Sequence, residues 1–235
     1  MEKVLVENSK VGIEVAKERL YKIVDRKTVL FLSGGSTPKT LYEILSKEGK
    51  IKPGAVAMVD ERYGEPFHPQ SNDKMIKETG FVQYLKNQNI AFYPILQKDK
   101  SQEQTSNDYD ENVRYLLTFF PKSAAILGIG KDGHTAGIAP NRKDFTNLIF
   151  QQKNLFVSEF SDSKNMEEGG FGKRITITFD ALSKIDFLII LAFGENKKKA
   201  LGLMFKDGSI EEVPARFFTR PEISSKTLLI TDQKV

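Results

Sequence analysis

The chain has 235 residues, with 35 Lys+Arg against 31 Asp+Glu, a formal charge of +4, and no cysteine. Zero cysteines exclude disulfides, thiolate metal sites and a cysteine nucleophile. The longest strongly apolar run, residues 185–193, includes Asp186 and falls far short of the ~20 apolar residues that span a bilayer.

The start, Met1-Glu2-Lys3, lacks the apolar stretch of a signal peptide, which leads to the expectation of a cytoplasmic protein. Charge is spread evenly, with 18 basic and 17 acidic residues in 1–120 and 17 against 14 in 121–235. With no basic arm and no Trp, a nucleic-acid surface is not expected.

Val11, Val15 and Leu20 give the N-terminal stretch the pattern of a single packing helix. Thr28 to Ser33 is a short apolar run, read as a buried strand stopped by Gly34-Gly35. Ser36-Thr37-Pro38 then starts a helix that Leu41, Ile44 and Leu45 carry to Lys47. Ala55 to Val59 is a second buried strand, running into Asp60-Glu61-Arg62 and a Pro/Gly/His loop. A helix is predicted from Ser71-Asn72 to about Thr79, a short strand at Ile90–Pro94, and an amphipathic helix within Ser101–Phe120.

Ser123 to Gly128 is the next strand, feeding a Gly-rich loop over 128–137. Asn154–Glu159 and Arg174–Thr178 alternate as half-buried strands do. Ile185–Phe193 is the most apolar strand, Gly194 to Lys197 opens a helix reaching about Phe205, and Thr227–Thr231 is a last strand. Apolar strands between helical patterns predict one α/β domain over residues 1–235. Its core is an open, mostly parallel twisted sheet with helices on both faces, Rossmann-like in type.

Ligands of open α/β sheets sit beyond the carboxyl ends of the strands, and three such ends carry chemistry here. The first is Ser33-Gly34-Gly35-Ser36-Thr37-Pro38, where glycines admit a ligand to the backbone and a helix N-terminus offers free N–H groups. It has neither Walker nor G-x-G-x-x-G spacing, and a tight turn capped by Ser or Thr would use the same residues. The second is Asp60-Glu61-Arg62, three ionisable residues that are costly to bury unless they pair or act. They could orient a substrate or form a structural salt bridge, and His68 reads as a loop residue. The third holds Asp132 and His134 around Gly133, placing a carboxylate beside an imidazole that could serve as general base or acid. No ligand spacing for a metal is present, so neither metal nor cofactor is expected.

Together the segments LSGGSTPKTLYEIL, VDERYGEPFHPQSN and LGIGKDGHTAGIAP resemble the 6-phosphogluconolactonase family, which shares its fold with the glucosamine-6-phosphate deaminases/isomerases. KRITITFDAL, FGENKKKALGLM and VPARFF follow in order, so the resemblance runs from about residue 30 to 218. It implies hydrolysis of 6-phospho-D-glucono-1,5-lactone to 6-phospho-D-gluconate, in the oxidative branch of the pentose phosphate pathway. Carried over residue by residue, Gly34, Gly35, Ser36 and Thr37 resemble the phosphate cradle, completed by Arg174 and Lys197. His134 resembles the base acting on water, Asp132 its orienting partner, and Arg62 and Asp60 pocket residues. The implied partner is a small sugar-phosphate lactone, with no nucleic acid or membrane, acted on by a monomer or small homo-oligomer.

Two rivals are weighed. The deaminase pattern has a Glu before the Pro that follows the histidine, where this chain has Ala139, and DEY where this chain has Asp60-Glu61-Arg62. A non-catalytic sugar-phosphate-binding domain usually accompanies a DNA-binding segment, for which the ~27 residues before the first motif leave no room. The run Gly137-Ile138-Ala139 departs from the Ser-Leu-Phe usual in lactonases, which bears on substrate scope.

Overall fold

A computed structural model describes residues 1–141, 154–161 and 172–234. Seven strands form one all-parallel sheet: β1 (Glu2–Leu5), β2 (Thr28–Leu32), β3 (Ala55–Met58), β5 (Ala91–Tyr93), β6 (Lys122–Gly128), β9 (Phe187–Ala192) and β10 (Thr227–Thr231). Their spatial order is β1-β10-β9-β6-β2-β3-β5. Every residue of β2, β3 and β10 is buried. That is why these strands read as unbroken apolar runs: helices cover both faces of a parallel sheet, and no face is left for polar alternation. The edge strands β1 and β5 are short, with four and three residues, which limits their capacity to template pairing with another chain.

The connecting helices begin where the expected signals stand. α1 (Ser9–Ile23) is capped by Asn8, whose side chain accepts from Val11 N at 3.1 Å. α2 (Ser36–Glu48) follows β2 and ends at Gly49 in the left-handed conformation. α3 (Asn72–Glu78) is capped by Ser71, and α4 (Phe81–Asn87) follows at once. α5 (Gln102–Phe119) starts with a reciprocal Ser101–Gln104 capping box. α6 (Phe179–Lys184), α7 (Lys198–Met204) and α8 (Pro221–Ser224) complete the described helices, with short 3-10 turns at Glu195–Lys197 and Pro214–Thr219.

The strand order explains where a ligand can enter. From β2 the chain moves through β3 to β5 on one side, then returns to place β6 on the other side of β2 and continues through β9 to β10. The loops after β2 and β6 therefore diverge from neighbouring strands and leave a crevice between them, the switch point at which open α/β sheets bind ligands.

Two features differ from the sequence expectation. A strand, β1, precedes the N-terminal helix and pairs with β10 through Glu2 and Leu228. The alternating segments do not join the parallel sheet: β7 (Val157–Ser161) and β8 (Lys173–Ile177) pair antiparallel with each other, and β8 pairs with β4 (Asp60–Arg62). Half-buried alternation is the pattern of such a small antiparallel sheet, open to solvent on one side.

Candidate active site

The loop after β2 closes one end of the crevice. Gly35 is the N-cap of α2, with φ 113°, and no side chain caps the helix. The first intrahelical bond that closes on this turn is Lys39 N to Gly35 O at 3.1 Å, and Pro38 has no N–H to leave unpaired. The start of α2 thus presents uncapped N–H groups and the positive end of its dipole, a geometry suited to an anion. Ser36 and Thr37 do not act as caps, the alternative their residue types allow. Gly34 is required by a close approach: a Cβ there would lie 1.9 Å from Asn72 Oδ1.

That contact brings in the second loop. β4 alternates, so Asp60 and Arg62 line the cleft while Glu61 points to the other face. Glu61 is fully buried and accepts four hydrogen bonds: from Arg62 N at 2.6 Å, Asn72 N at 2.8 Å, Asp73 N at 2.9 Å and Ser71 Oγ at 3.0 Å. Its carboxylate therefore ties the N-terminus of α3 to β4. Burial pushes its pKa up to about 7, against the donors, which favour the ionised form.

Asn72, delivered by that anchor, donates from Nδ2 to Asp60 O at 2.9 Å and accepts at Oδ1 from Arg62 Nη1 at 3.0 Å. Arg62 Nη1 also donates to Gln70 O at 2.8 Å. A carbonyl and an amide therefore hold the guanidinium, and among the described residues it forms no salt bridge with Asp60. His68 is a loop anchor, as its position suggested: Nδ1 accepts from Gln70 N at 3.2 Å while Nε2 donates to Arg62 O at 2.8 Å. Burial lowers its pKa.

The third loop brings Asp132 and His134 together. Asp132 Oδ1 lies 2.7 Å from His134 Nδ1 and also accepts from His134 N at 3.1 Å. The histidine beside it holds the Asp132 carboxyl at about 2. An ionised carboxylate can only accept, so Nδ1 carries a proton, and in the neutral ring Nε2 then holds the lone pair. The two side chains are about half exposed, 54% and 46%, so Nε2 can reach a water or a ligand in the cleft.

Gly130 permits this pose, since a Cβ there would lie 2.0 Å from His134 Nδ1. Gly130 N to His134 O at 2.8 Å and Gly133 N to Gly130 O at 3.1 Å fold the loop on itself. Ala215 N donates to Gly133 O at 3.0 Å, which gives the VPARFF segment its place behind the loop. Thr176 of β8 donates to Ala136 O at 2.6 Å and ties the small sheet to the same loop.

Two further cations come from distant segments. Arg174 on β8 stands directly across from Arg62 on β4 in the antiparallel register. Like charges opposite one another in a sheet repel, and both side chains line the cleft. Lys197, in the 3-10 turn after β9, has its pKa lowered by burial, with Asp132 opposing that effect.

All ten residues singled out from the sequence line one cleft of about 1410 Å³: Gly34, Gly35, Ser36, Thr37, Asp60, Arg62, Asp132, His134, Arg174 and Lys197. Ala139 lines it too. The supporting residues Glu61 and Asn72 were not assigned roles from the sequence. The signal available was three ionisable residues after an apolar strand, followed ten residues on by Ser71-Asn72 at a helix start. Among the described residues no three His, Asp or Glu side chains converge to hold a metal ion, and no helix is long and apolar enough to cross a membrane.

Fold and cleft define an α/β protein whose cleft, at the switch point of a parallel sheet and beside a histidine–aspartate pair, is suited to a small anionic ligand. The sequence model of the glucosamine-6-phosphate isomerases/6-phosphogluconolactonase family matches residues 9–228. The chain belongs to that family. Curated relatives include a 6-phosphogluconolactonase of Synechocystis, 31% identical over 79% of this chain and 75% of its own length. Another is the Xylella fastidiosa 6-phosphogluconolactonase, 30% identical over 77% and 74%. A 6-phosphogluconolactonase of Shewanella baltica superposes with a TM-score of 0.78 over 98% of this chain and 97% of its own, at 20% identity. The corresponding enzyme of Thermotoga maritima gives 0.71 over 97% of both, at 25% identity.

Proposed function

We propose that the protein hydrolyses 6-phospho-D-glucono-1,5-lactone to 6-phospho-D-gluconate by histidine-assisted attack of water, as a step of the oxidative pentose phosphate pathway. The observation that carries this reading is the His134–Asp132 pair, its Nε2 available, in the same cleft as an uncapped helix N-terminus and three cations. The names of the curated relatives support the same reaction.

A δ-lactone is an activated ester, so the demands on the protein are modest. His134 Nε2 takes a proton from a water whose oxygen bonds the lactone carbonyl carbon, and Asp132 stabilises the imidazolium that forms. Collapse of the tetrahedral intermediate then breaks the carbon's bond to the ring oxygen, which takes that proton back from the imidazolium as the ring opens. Cations lining the cleft supply positive potential where the oxyanion develops. Gly34, Gly35, Ser36 and Thr37 cradle the phosphate with Arg174 and Lys197; Arg offers a fork to two phosphate oxygens, Lys a point charge. Arg62 and Asp60 line the wall between phosphate and carbonyl. The substrate pays in advance for orientation through its phosphate, which holds the carbonyl near the base.

In this reading residues 1–235 form one catalytic domain, active in the cytoplasm as a monomer or small homo-oligomer, with a small metabolite as its partner. Ala139 sits where a deaminase carries its glutamate; an alanine cannot tune the histidine, which disfavours amine release. The test is purified protein with freshly generated lactone, following acid release above the spontaneous rate. Ammonia from glucosamine 6-phosphate would mark a deaminase, and binding without turnover a non-catalytic domain.

A further inference from the structure

Ser33 Oγ and Arg62 Nε are buried polar atoms of the cleft with no hydrogen-bond partner among the described residues. Both residues line the cleft, and Ser33 is only 5% exposed. Buried polar atoms are nearly always paired, so an orphan in a ligand cleft asks for a ligand atom or a water. The backbone of Ser33 is already fixed, its carbonyl accepting from Tyr42 OH at 2.9 Å. Only the side chain is left over.

The register of the sheet shows what lies beside it. Leu32 pairs with Met58, and Val59 N donates to Leu32 O at 2.8 Å, so Ser33 lies alongside the Val59–Asp60 step. Asp60 is buried and lines the same floor. Asn72 bonds both Asp60 O and Arg62 Nη1, and so holds the carboxylate-bearing and guanidinium-bearing residues together beside Gly34.

We propose that Ser33, with Asp60 and Arg62 Nε, forms a subsite for a hydroxyl of the substrate's sugar ring, which makes Ser33 a specificity-determining residue. The proposal rests on the sugar-phosphate lactone reading above. It follows from the chemistry of the three groups: a carboxylate that accepts, a guanidinium N–H that donates, and a hydroxyl that does both. A neutral ring hydroxyl satisfies all three, donating to Asp60 while its two lone pairs accept from Arg62 Nε and Ser33 Oγ. A phosphate dianion at this floor would be repelled by Asp60. It finds its donors at the more exposed start of α2 and at Arg174 and Lys197.

The experiment compares wild type with Ser33→Ala on the parent lactone and on its 2-, 3- and 4-deoxy analogues, with a thermal midpoint for each protein. Removing an atom that bonds nothing in the free protein leaves the midpoint unchanged or slightly higher. On the parent lactone kcat/KM falls about tenfold, the scale of one lost hydrogen bond. The two proteins then act equally on the one deoxy analogue that lacks the bound hydroxyl. Equal kcat/KM on the parent, a uniform loss across the series, or a lowered midpoint with unchanged kinetics overturns the assignment. An inactive wild type instead overturns the lactonase reading itself.

Discussion

Glu61 and Asp132 stand at the loops on either side of the glycine loop, and their surroundings differ in almost every respect. Glu61 is fully buried, accepts four hydrogen bonds, and has its pKa raised to about 7. Asp132 is about half exposed, bonds its neighbour His134, and has its pKa lowered to about 2. The first carboxylate holds a scaffold: it fixes the start of α3, and through Asn72 it places Arg62 and backs Gly34. In the proposed reaction the second orients the reacting histidine in contact with solvent. On that reading one wall stays still and the other exchanges protons. Mutations should separate stability from turnover along the same line.

The largest effect is expected from the cations that complete the cleft. Arg174→Ala or Lys197→Ala should weaken binding of the phosphorylated lactone by on the order of 2–5 kcal/mol if a phosphate charge is left unpaired. An unphosphorylated lactone should be nearly unaffected, and equal losses on both substrates would place these residues elsewhere. On the scaffold side, Glu61→Ala strands the N–H groups of Arg62, Asn72 and Asp73 and the Ser71 hydroxyl. About 3 kcal/mol of stability should be lost in chemical denaturation, whereas a loss within 0.5 kcal/mol, the scale of a surface change, would show that the network is not an anchor.

Glu61→Gln sharpens the same point through pH. A carboxyl raised from 4.5 to about 7 on folding contributes stability fully below 4.5 and loses it as pH rises through 7. Wild type should therefore lose ground to Glu61→Gln across that window, and parallel stability curves would contradict the burial of this charge. On the reacting wall, Gly130→Ala displaces the imidazole and should cut turnover about tenfold with little change in stability, below the ~10²-fold cost of a 1 Å misplacement. The smallest effect on stability belongs to Asp132. Lowered from 3.8 to about 2, it contributes stability present above 3.8 and lost as pH falls through 2. Exposure screens that contribution, so Asp132→Asn should flatten the acid limb of the thermal midpoint only slightly.

The three strand-end loops were legible in the sequence because each follows an apolar run and departs from it abruptly, in Gly34-Gly35, in Asp60-Glu61-Arg62 and in the glycines around His134. Parallel topology was legible for a related reason: strands buried on both faces show no alternation. The small antiparallel sheet was not. β4 has three residues, too few for periodicity, and its partner Arg174 lies 112 positions further along the chain. Nothing local shows that Arg62 and Arg174 face each other.

Asn72 was hidden for the opposite reason. Asn at a helix start is ordinary, and its role comes from Gly34 and Arg62, which only the fold brings to it. β1 carries Glu2 and Lys3 because it is an edge strand, and that composition conceals it.

The central claim is that His134, held by Asp132, is the base in a cleft that binds a phosphorylated lactone. The most direct measurement is the rate of acid release from fresh 6-phosphogluconolactone by wild type and His134→Ala, with thermal midpoints recorded for both. The account predicts turnover well above the spontaneous rate for wild type and a loss of about 100-fold or more in the variant, at an unchanged midpoint because the side chain is half exposed. Equal turnover in the two proteins would contradict it.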